Sequence, residues 1–192
     1  MSHTFLDKSS PLFLPCLKRL VVTRSDDDYS LLFTYLAVNS TIVDLVITIG
    51  KWKPSEVEKL TEMFSANSTL KKVELKNECG GGHKDLNLEP IFHGLSRNKS
   101  IIKLDLSLFP ICDPVYFSIL LRNNTIRALV YPRNLKTLDS TVISSFNRNS
   151  ALQELFLNFY EFELNNFSEL LKIYSIKKTD DMWVYWLDFT FF

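Results

Sequence analysis

The chain has 192 residues, with 22 basic and 22 acidic side chains, a hydrophobic fraction of 46% and a charged fraction of 23%. These values are ordinary for a globular protein, and the length is enough for a sizeable core. The net charge of zero argues against nucleic acid or an anionic membrane as the main partner. We find no secretory signal and no apolar stretch long enough to span a bilayer, and the three cysteines are widely spaced. We therefore expect a protein of a reducing compartment, which is the cytoplasm or, alternatively, the nucleus.

One pattern recurs five times along the chain. An asparagine has apolar residues seven and three positions before it, and further apolar residues three, six and eight positions after it. The asparagines are Asn39, Asn67, Asn98, Asn123 and Asn149. They are separated by 28, 31, 25 and 26 residues. Self-similarity at such a period predicts a repeat architecture.

Each repeat is expected to hold one helix, one cap and one short strand. Apolar residues four apart lie on one face of a helix, and the pair at +6 and +8 alternates as in a strand. Because asparagine tolerates the left-handed conformation that ends helices, we expect that conformation at the junction. One unit cannot bury its apolar face alone, so neighbouring units should stack around a shared core.

The same spacing predicts seven strands, separated by helices. The strands are 17–22, 42–47, 70–75, 101–106, 126–131, 152–157 and 182–187. Ser55 and Glu58 form a capping-box pattern, Pro90 fits an early helix position, and Asp113 with Pro114 fits a helix start. A last helix is predicted from about 165 to 176.

The pattern divides the chain into three parts. Residues 1–13 form a lead-in, 14–187 form one domain of about six units with a terminal strand, and 188–192 form an apolar tail. The tail either covers the last unit or precedes a further repeat in a longer chain.

The core Leu-x-x-Leu-x-Leu after Asn-x-x resembles leucine-rich repeats of the ribonuclease-inhibitor type, and similar repeats form the sensor ends of NOD-like receptors. The resemblance covers roughly residues 14–187. It implies an α/β solenoid, with parallel strands on a concave face and helices on a convex face. The family usually has Asn or Cys eight residues after the first strand leucine, and here only Asn134 matches. We therefore expect the family's row of buried asparagines at that position, eight residues after the first strand leucine, to be mostly absent.

Several other motifs have ordinary structural interpretations. The consecutive carboxylates of residues 26–28 suit a helix start better than a metal site. The glycines of residues 80–82 lack the spacing of a phosphate-binding loop, and Cys79 with His83 provides too few ligands for zinc. Glycosylation sequons begin at Asn39, Asn67, Asn98, Asn123 and Asn166. Four of them share one repeat phase, so repeat geometry explains them better than glycosylation does.

No histidine or carboxylate pattern indicates catalysis, so we expect no enzyme, no cofactor and no metal. We expect a monomeric module that binds another protein, because a stacked repeat presents an extended surface. The alternatives are a regulatory or sensor fragment of a larger receptor-like protein, a structural remnant without a partner, and an enzyme, which would need a pocket with converging titratable groups.

Alternation along the strands predicts which residues face the partner. The first, fourth and sixth residues of each strand point into the core, so the third and fifth point to the concave face. The predicted binding residues are Arg19, Asp44, Lys72, Glu74, Lys103, Asp105, Val130, Glu154, Phe156 and Trp186. Exposed aromatics anchor many interfaces, which favours the C-terminal part. Alternatively, the charges pair across neighbouring strands, and the tail covers Phe156 and Trp186.

Overall fold

The computed structural model describes residues 16–23, 28–49, 53–77, 87–109, 113–132, 140–158 and 183–187. Strands and helices alternate along these residues. The strands are β1 (Arg19–Val22), β2 (Asp44–Ile49), β3 (Lys72–Asn77), β4 (Lys103–Leu108), β5 (Ala128–Val130), β6 (Glu154–Asn158) and β7 (Trp183–Leu187). The helices are α1 (Ser30–Val38), α2 (Pro54–Ala66), α3 (Glu89–Arg97), α4 (Pro114–Leu120) and α5 (Ser140–Arg148).

The described strands form one parallel sheet in which β1 to β7 follow chain order. This confirms an α/β fold. Each strand lies where the spacing predicts it but begins one or two residues later. The helix predicted at about 165–176, the lead-in at 1–13 and the tail at 188–192 lie outside the described residues.

The core lies on one side of the sheet. Alternate strand residues are fully buried, for example Leu45 and Ile47 in β2 and Leu104 and Leu106 in β4. They belong to the same apolar cluster as the inward residues of the helices, so the helices cover this face of the sheet. We call the opposite face, which carries the alternate residues of β1 to β6, the open face.

Neighbouring helices approach closely at one glycine. A Cβ atom at Gly94 of α3 would lie 2.7 Å from the backbone oxygen of Thr61 in α2. No ordinary side chain fits there without a backbone shift, so glycine permits this spacing between the helices.

A ladder of asparagine side chains joins consecutive units. Asn98 Nδ2 donates to the backbone oxygens of Phe64, at 2.7 Å, and of Asn67, at 2.9 Å, both in the preceding unit. Asn98 Oδ1 accepts the backbone N–H groups of Ser100 and Ile101, each at 2.8 Å. Equivalent bonds in both directions are made by Asn67, Asn123 and Asn149.

The first member of the series differs, because Asn39 donates to the Tyr35 hydroxyl of its own helix at 3.1 Å. Its Oδ1 still accepts the N–H groups of Thr41 and Ile42, at 3.0 and 2.8 Å. The carboxamide therefore closes the turn in each of the five repeats that carry the asparagine, whereas the bridge to a preceding unit begins at Asn67.

The predicted backbone conformation of these asparagines is wrong. At Asn39, Asn67 and Asn98, φ lies between −69° and −61° and ψ between 129° and 138°, which is extended and not left-handed. Asparagine is present for its side chain, which can donate twice and accept twice.

The ladder also accounts for the sequons. The hydroxyls two residues after Asn67, Asn98 and Asn123 donate to the backbone carbonyl of the preceding asparagine, as in Thr69 Oγ1 to Asn39 O at 2.9 Å and Thr125 Oγ1 to Asn98 O at 3.2 Å. Asn67, Asn98 and Asn123 are almost wholly buried, and their Nδ2 hydrogens are both bonded. A glycan on Nδ2 would remove one of these hydrogen bonds. The asparagines and hydroxyls of these sequons therefore serve to join consecutive units.

Of the three helix starts predicted for α2, α3 and α4, two are confirmed and one is wrong. Pro90 occupies the first turn of α3, and Asp113 Oδ1 accepts the N–H of Val115 at 2.8 Å ahead of α4. The box at Ser55 and Glu58 does not form, because α2 begins earlier, at Pro54.

The carboxylate that closes the first turn of α2 is Glu56. Glu56 Oε2 accepts the N–H of Lys53 at 2.8 Å, and Oε1 accepts the N–H of Tyr29, in the preceding unit, at 3.1 Å. The side chain is almost wholly buried. It therefore caps α2 and ties the start of α1 to it.

We expect Asn123→Ala to lower the free energy of unfolding by about 3 kcal/mol or more, because buried donors and acceptors lose their partners. Asn124, its exposed neighbour, provides a matched control, and Asn124→Ala should change stability by less than about 0.5 kcal/mol. Urea unfolding of the full chain measures both values. Similar stabilities for the two variants would show that the ladder contributes little.

Candidate functional site

Two rows of side chains cross the open face, with one residue of each row on each strand. The first row contains Arg19, Asp44, Lys72, Lys103, Ala128 and Glu154. The second row contains Val21, Val46, Glu74, Asp105, Val130 and Phe156. From β1 to β6 the backbone register thus places side by side the third and fifth residues of the predicted strands, as the repeat spacing predicts.

The register of β7 differs from the prediction. Trp183 pairs with Glu154 and Tyr185 pairs with Phe156, so Trp186 pairs with Leu157 instead of continuing the second row. The prediction for Trp186 is therefore wrong by one residue. The segment Trp183–Leu187 is apolar at every position, so its pattern does not define which residues face which side.

Most charges of the two rows have partners on the open face. Arg19 Nε lies 3.6 Å from Asp44 Oδ2 on the neighbouring strand. Glu74 Oε1 lies 2.6 Å from Lys76 Nζ. Pairing between strands, the alternative interpretation of these charges, therefore holds at the β1–β2 end.

One carboxylate of the second row has a backbone N–H as its partner. Asp105 Oδ1 accepts the N–H of Ser107 at 2.9 Å. Sequence analysis missed the partners Lys76 and Ser107, although each stands two residues after its carboxylate and could have been found from the alternation of the strand.

The two central lysines are different. Lys72 and Lys103 are paired residues of β3 and β4, and both are exposed. Within the described part of the chain, neither ammonium group lies within 4.0 Å of a carboxylate. Two like charges side by side repel each other, so a negative group placed between them would be stabilised.

Lys103 makes one further contact. Its Nζ lies 5.7 Å from the centroid of the Phe156 ring, which is within the range of a cation–π interaction. Because β5 lies between β4 and β6, this contact passes over the small residues of β5. Ala128 and Val130 are consequently only 8% and 7% exposed. The prediction that Val130 is an exposed apolar contact is therefore wrong. Phe156 is half-buried, and we call Lys72, Lys103 and Phe156 together the patch.

Other kinds of site have no counterpart among the described residues. Within the ranges given above, no group of three or more His, Cys, Asp or Glu side chains is placed to hold a metal ion. Asp28 Oδ1 accepts the N–H of Ser30 at 2.8 Å, which is the role of a helix-start residue. The motif around Cys79 and His83 lies outside the described residues. No described helix combines the length and the apolar character needed to cross a membrane.

Comparison with known proteins identifies no relative: no family model matches the chain, and no curated protein matches its sequence significantly. The open face must therefore be interpreted from its own chemistry. It presents two exposed ammonium groups beside a partly covered aromatic ring, which suits an acidic group attached to an apolar one.

We expect the Lys103–Phe156 contact to be visible in solution. The ring should shift the Lys103 ε-methylene protons upfield, and Phe156→Leu should return them to ordinary positions while leaving those of Lys72 unchanged. Proton–carbon NMR spectra of the full chain measure both lysines at once, so that Lys72 is the internal control. Unchanged Lys103 protons in Phe156→Leu would contradict this contact.

Proposed function

We propose that the chain is a leucine-rich repeat solenoid that acts as a non-enzymatic module and binds another protein through the open face, which would be its concave surface. The five sequence repeats and the parallel, chain-ordered sheet support this proposal. Stacked repeats present a continuous surface and need no deep pocket to recognise a partner. The proposed location is the cytoplasm, and the proposed working form is a monomer.

The observation that carries the proposal is the exposed lysine pair at the centre of the open face. Lys72 and Lys103 stand side by side on adjacent strands, while Glu74 and Asp105 beside them already have partners. Glu74 is ion-paired and Asp105 accepts a backbone hydrogen bond, whereas the two adjacent ammonium groups have no carboxylate partner among the described residues. This locally positive site is complementary to an acidic partner. Phe156 extends the same patch with an apolar contact.

The partner is best sought by affinity purification of the full chain from its native cell, followed by mass spectrometry. A specific protein with an accessible acidic and apolar segment is the expected result. Recovery of no specific protein would favour the structural-remnant alternative. If the open-face variants still bind the captured protein, the binding surface lies on the helices instead. That result would favour the alternative of a sensor fragment of a larger receptor.

With the partner in hand, Phe156→Ala should weaken binding by about 2 kcal/mol, since a truncated aromatic anchor loses most of its buried contact area. Val115 on α4 is the control, because it is an apolar residue with a 44% exposed side chain that lies on the face of the sheet covered by helices. Val115→Ala should leave the affinity unchanged. Isothermal titration calorimetry measures both values, and equal losses would remove the open face as the binding surface.

The lysine pair should act mainly on the association rate. Lys72→Glu with Lys103→Glu should slow association with an acidic partner and reverse its dependence on salt, because long-range attraction becomes repulsion. Arg97→Glu with Lys99→Glu changes the net charge equally at exposed positions at and after the end of α3. Stopped-flow association at several salt concentrations separates the two double variants. Identical salt slopes would mean that the total charge of the chain, and not the open face, attracts the partner.

A further inference from the structure

A groove of about 400 Å³ lies between α4 and α5, on the side of the sheet that carries the helices. Its lining includes two guanidinium groups, from Arg122 and Arg148, and no carboxylate. Among the described residues, neither arginine forms an ion pair. The groove is thus a concave positive site that is separate from the open face.

Hydroxyl and amide groups surround the two arginines. Thr141 and Ser144 contribute hydroxyls from α5, and Asn124 contributes a carboxamide. All these groups can donate hydrogen bonds. Arg148 is the last residue of α5, where the helix dipole favours a basic side chain, so this residue alone would not indicate a ligand. The site is indicated by hydrogen-bond donors that come from α4, from the turn after α4 and from α5.

Ser118 provides an independent observation. It lines the groove and is only 7% exposed, and its hydroxyl has no partner among the described residues. Several other helix hydroxyls donate to the carbonyl four residues earlier, as Thr61 of α2 does to Val57 and Ser145 of α5 does to Thr141. A buried hydroxyl without a partner carries a desolvation cost that a bound acceptor would offset.

We propose that the groove between α4 and α5 binds a phosphate monoester group. A phosphate group accepts several hydrogen bonds from different directions and matches guanidinium groups particularly well. Arg122 and Arg148 neutralise its charge from the two sides of the groove. Ser118 Oγ is itself buried, so it would donate to the ligand only after its side chain turns to another staggered rotamer. The volume exceeds that of the phosphate group alone, so the molecule that carries the group also occupies the groove.

The test is an NMR titration of the full chain at constant ionic strength, with inorganic phosphate, a short phosphoserine peptide and the same peptide without its phosphate. Saturable shifts at the amides of residues 122–124 and 144–148 with the phosphorylated peptide are expected, and no such shifts with the unphosphorylated one. Tighter binding of the peptide than of inorganic phosphate identifies a phosphorylated side chain as the source, and equal binding identifies the free ion.

Variants assign the shifts to the groove. Arg122→Gln with Arg148→Gln should weaken binding by about tenfold or more, because two charge-assisted contacts are lost. Arg97→Gln with Arg127→Gln, which changes the charge equally at exposed positions outside the groove, should leave the affinity within about twofold. Equal weakening in the two double variants, or an absence of groove shifts with the phosphorylated peptide at millimolar concentration, overturns the proposal.

Ser118→Ala gives a second readout that a purely structural hydroxyl would not produce. The affinity for phosphate should fall, while stability stays the same or rises because an unpartnered polar group is removed. A fall in stability with unchanged affinity would show that the hydroxyl supports the helix and not the ligand, which also overturns the proposal.

Discussion

The carboxamide of the repeated asparagine is the interaction on which the other features of the structure depend. Its Nδ2 group reaches back to two carbonyls of the preceding unit, and its Oδ1 holds two N–H groups of its own turn, as Asn123 does with bonds of 2.6–3.0 Å. These are backbone groups that a helix end and a strand start leave without partners. One side chain therefore ends a helix, starts a strand and fixes both against the neighbouring unit.

The ladder also places the candidate binding surface. Each first-row residue of β2 to β6 stands five positions after one of the asparagines, as Lys72 does after Asn67 and Lys103 after Asn98. Since consecutive asparagines are bonded directly, the residues at this offset must come side by side. The register of the strands, and with it the proximity of the two lysines, follows from hydrogen bonds outside the sheet.

This relation explains how far the sequence could be interpreted. The helices, the strands and the two rows up to β6 follow from a pattern that contains its own marker, the asparagine. At β7 no asparagine occupies the corresponding position, because residues 178 and 179 are Lys178 and Thr179. Without that marker only apolar residues remain to set the phase, and they fit two registers that differ by one residue.

Other features depend on which side chains meet in three dimensions, so the pattern could not contain them. The burial of Val130 follows from a lysine and a phenylalanine on the two flanking strands, neither of which is adjacent in sequence. The tie from Glu56 to Tyr29 joins helix starts that are 27 residues apart. The backbone preference of asparagine predicts a left-handed junction, whereas the structure has extended backbone there and uses the hydrogen bonds of the side chain.

The two candidate surfaces share a structural origin. The repeats that carry α4 and α5 are the short ones, at 25 and 26 residues, and the described part of β5 has three residues and α4 has seven. On the open face, the small side chains of this short strand let Lys103 reach Phe156 above them. On the other face, the groove opens beside this short helix. Loss of a few residues from one repeat therefore alters both faces at the same place along the sheet, because each unit contributes one strand and one helix to the same stack.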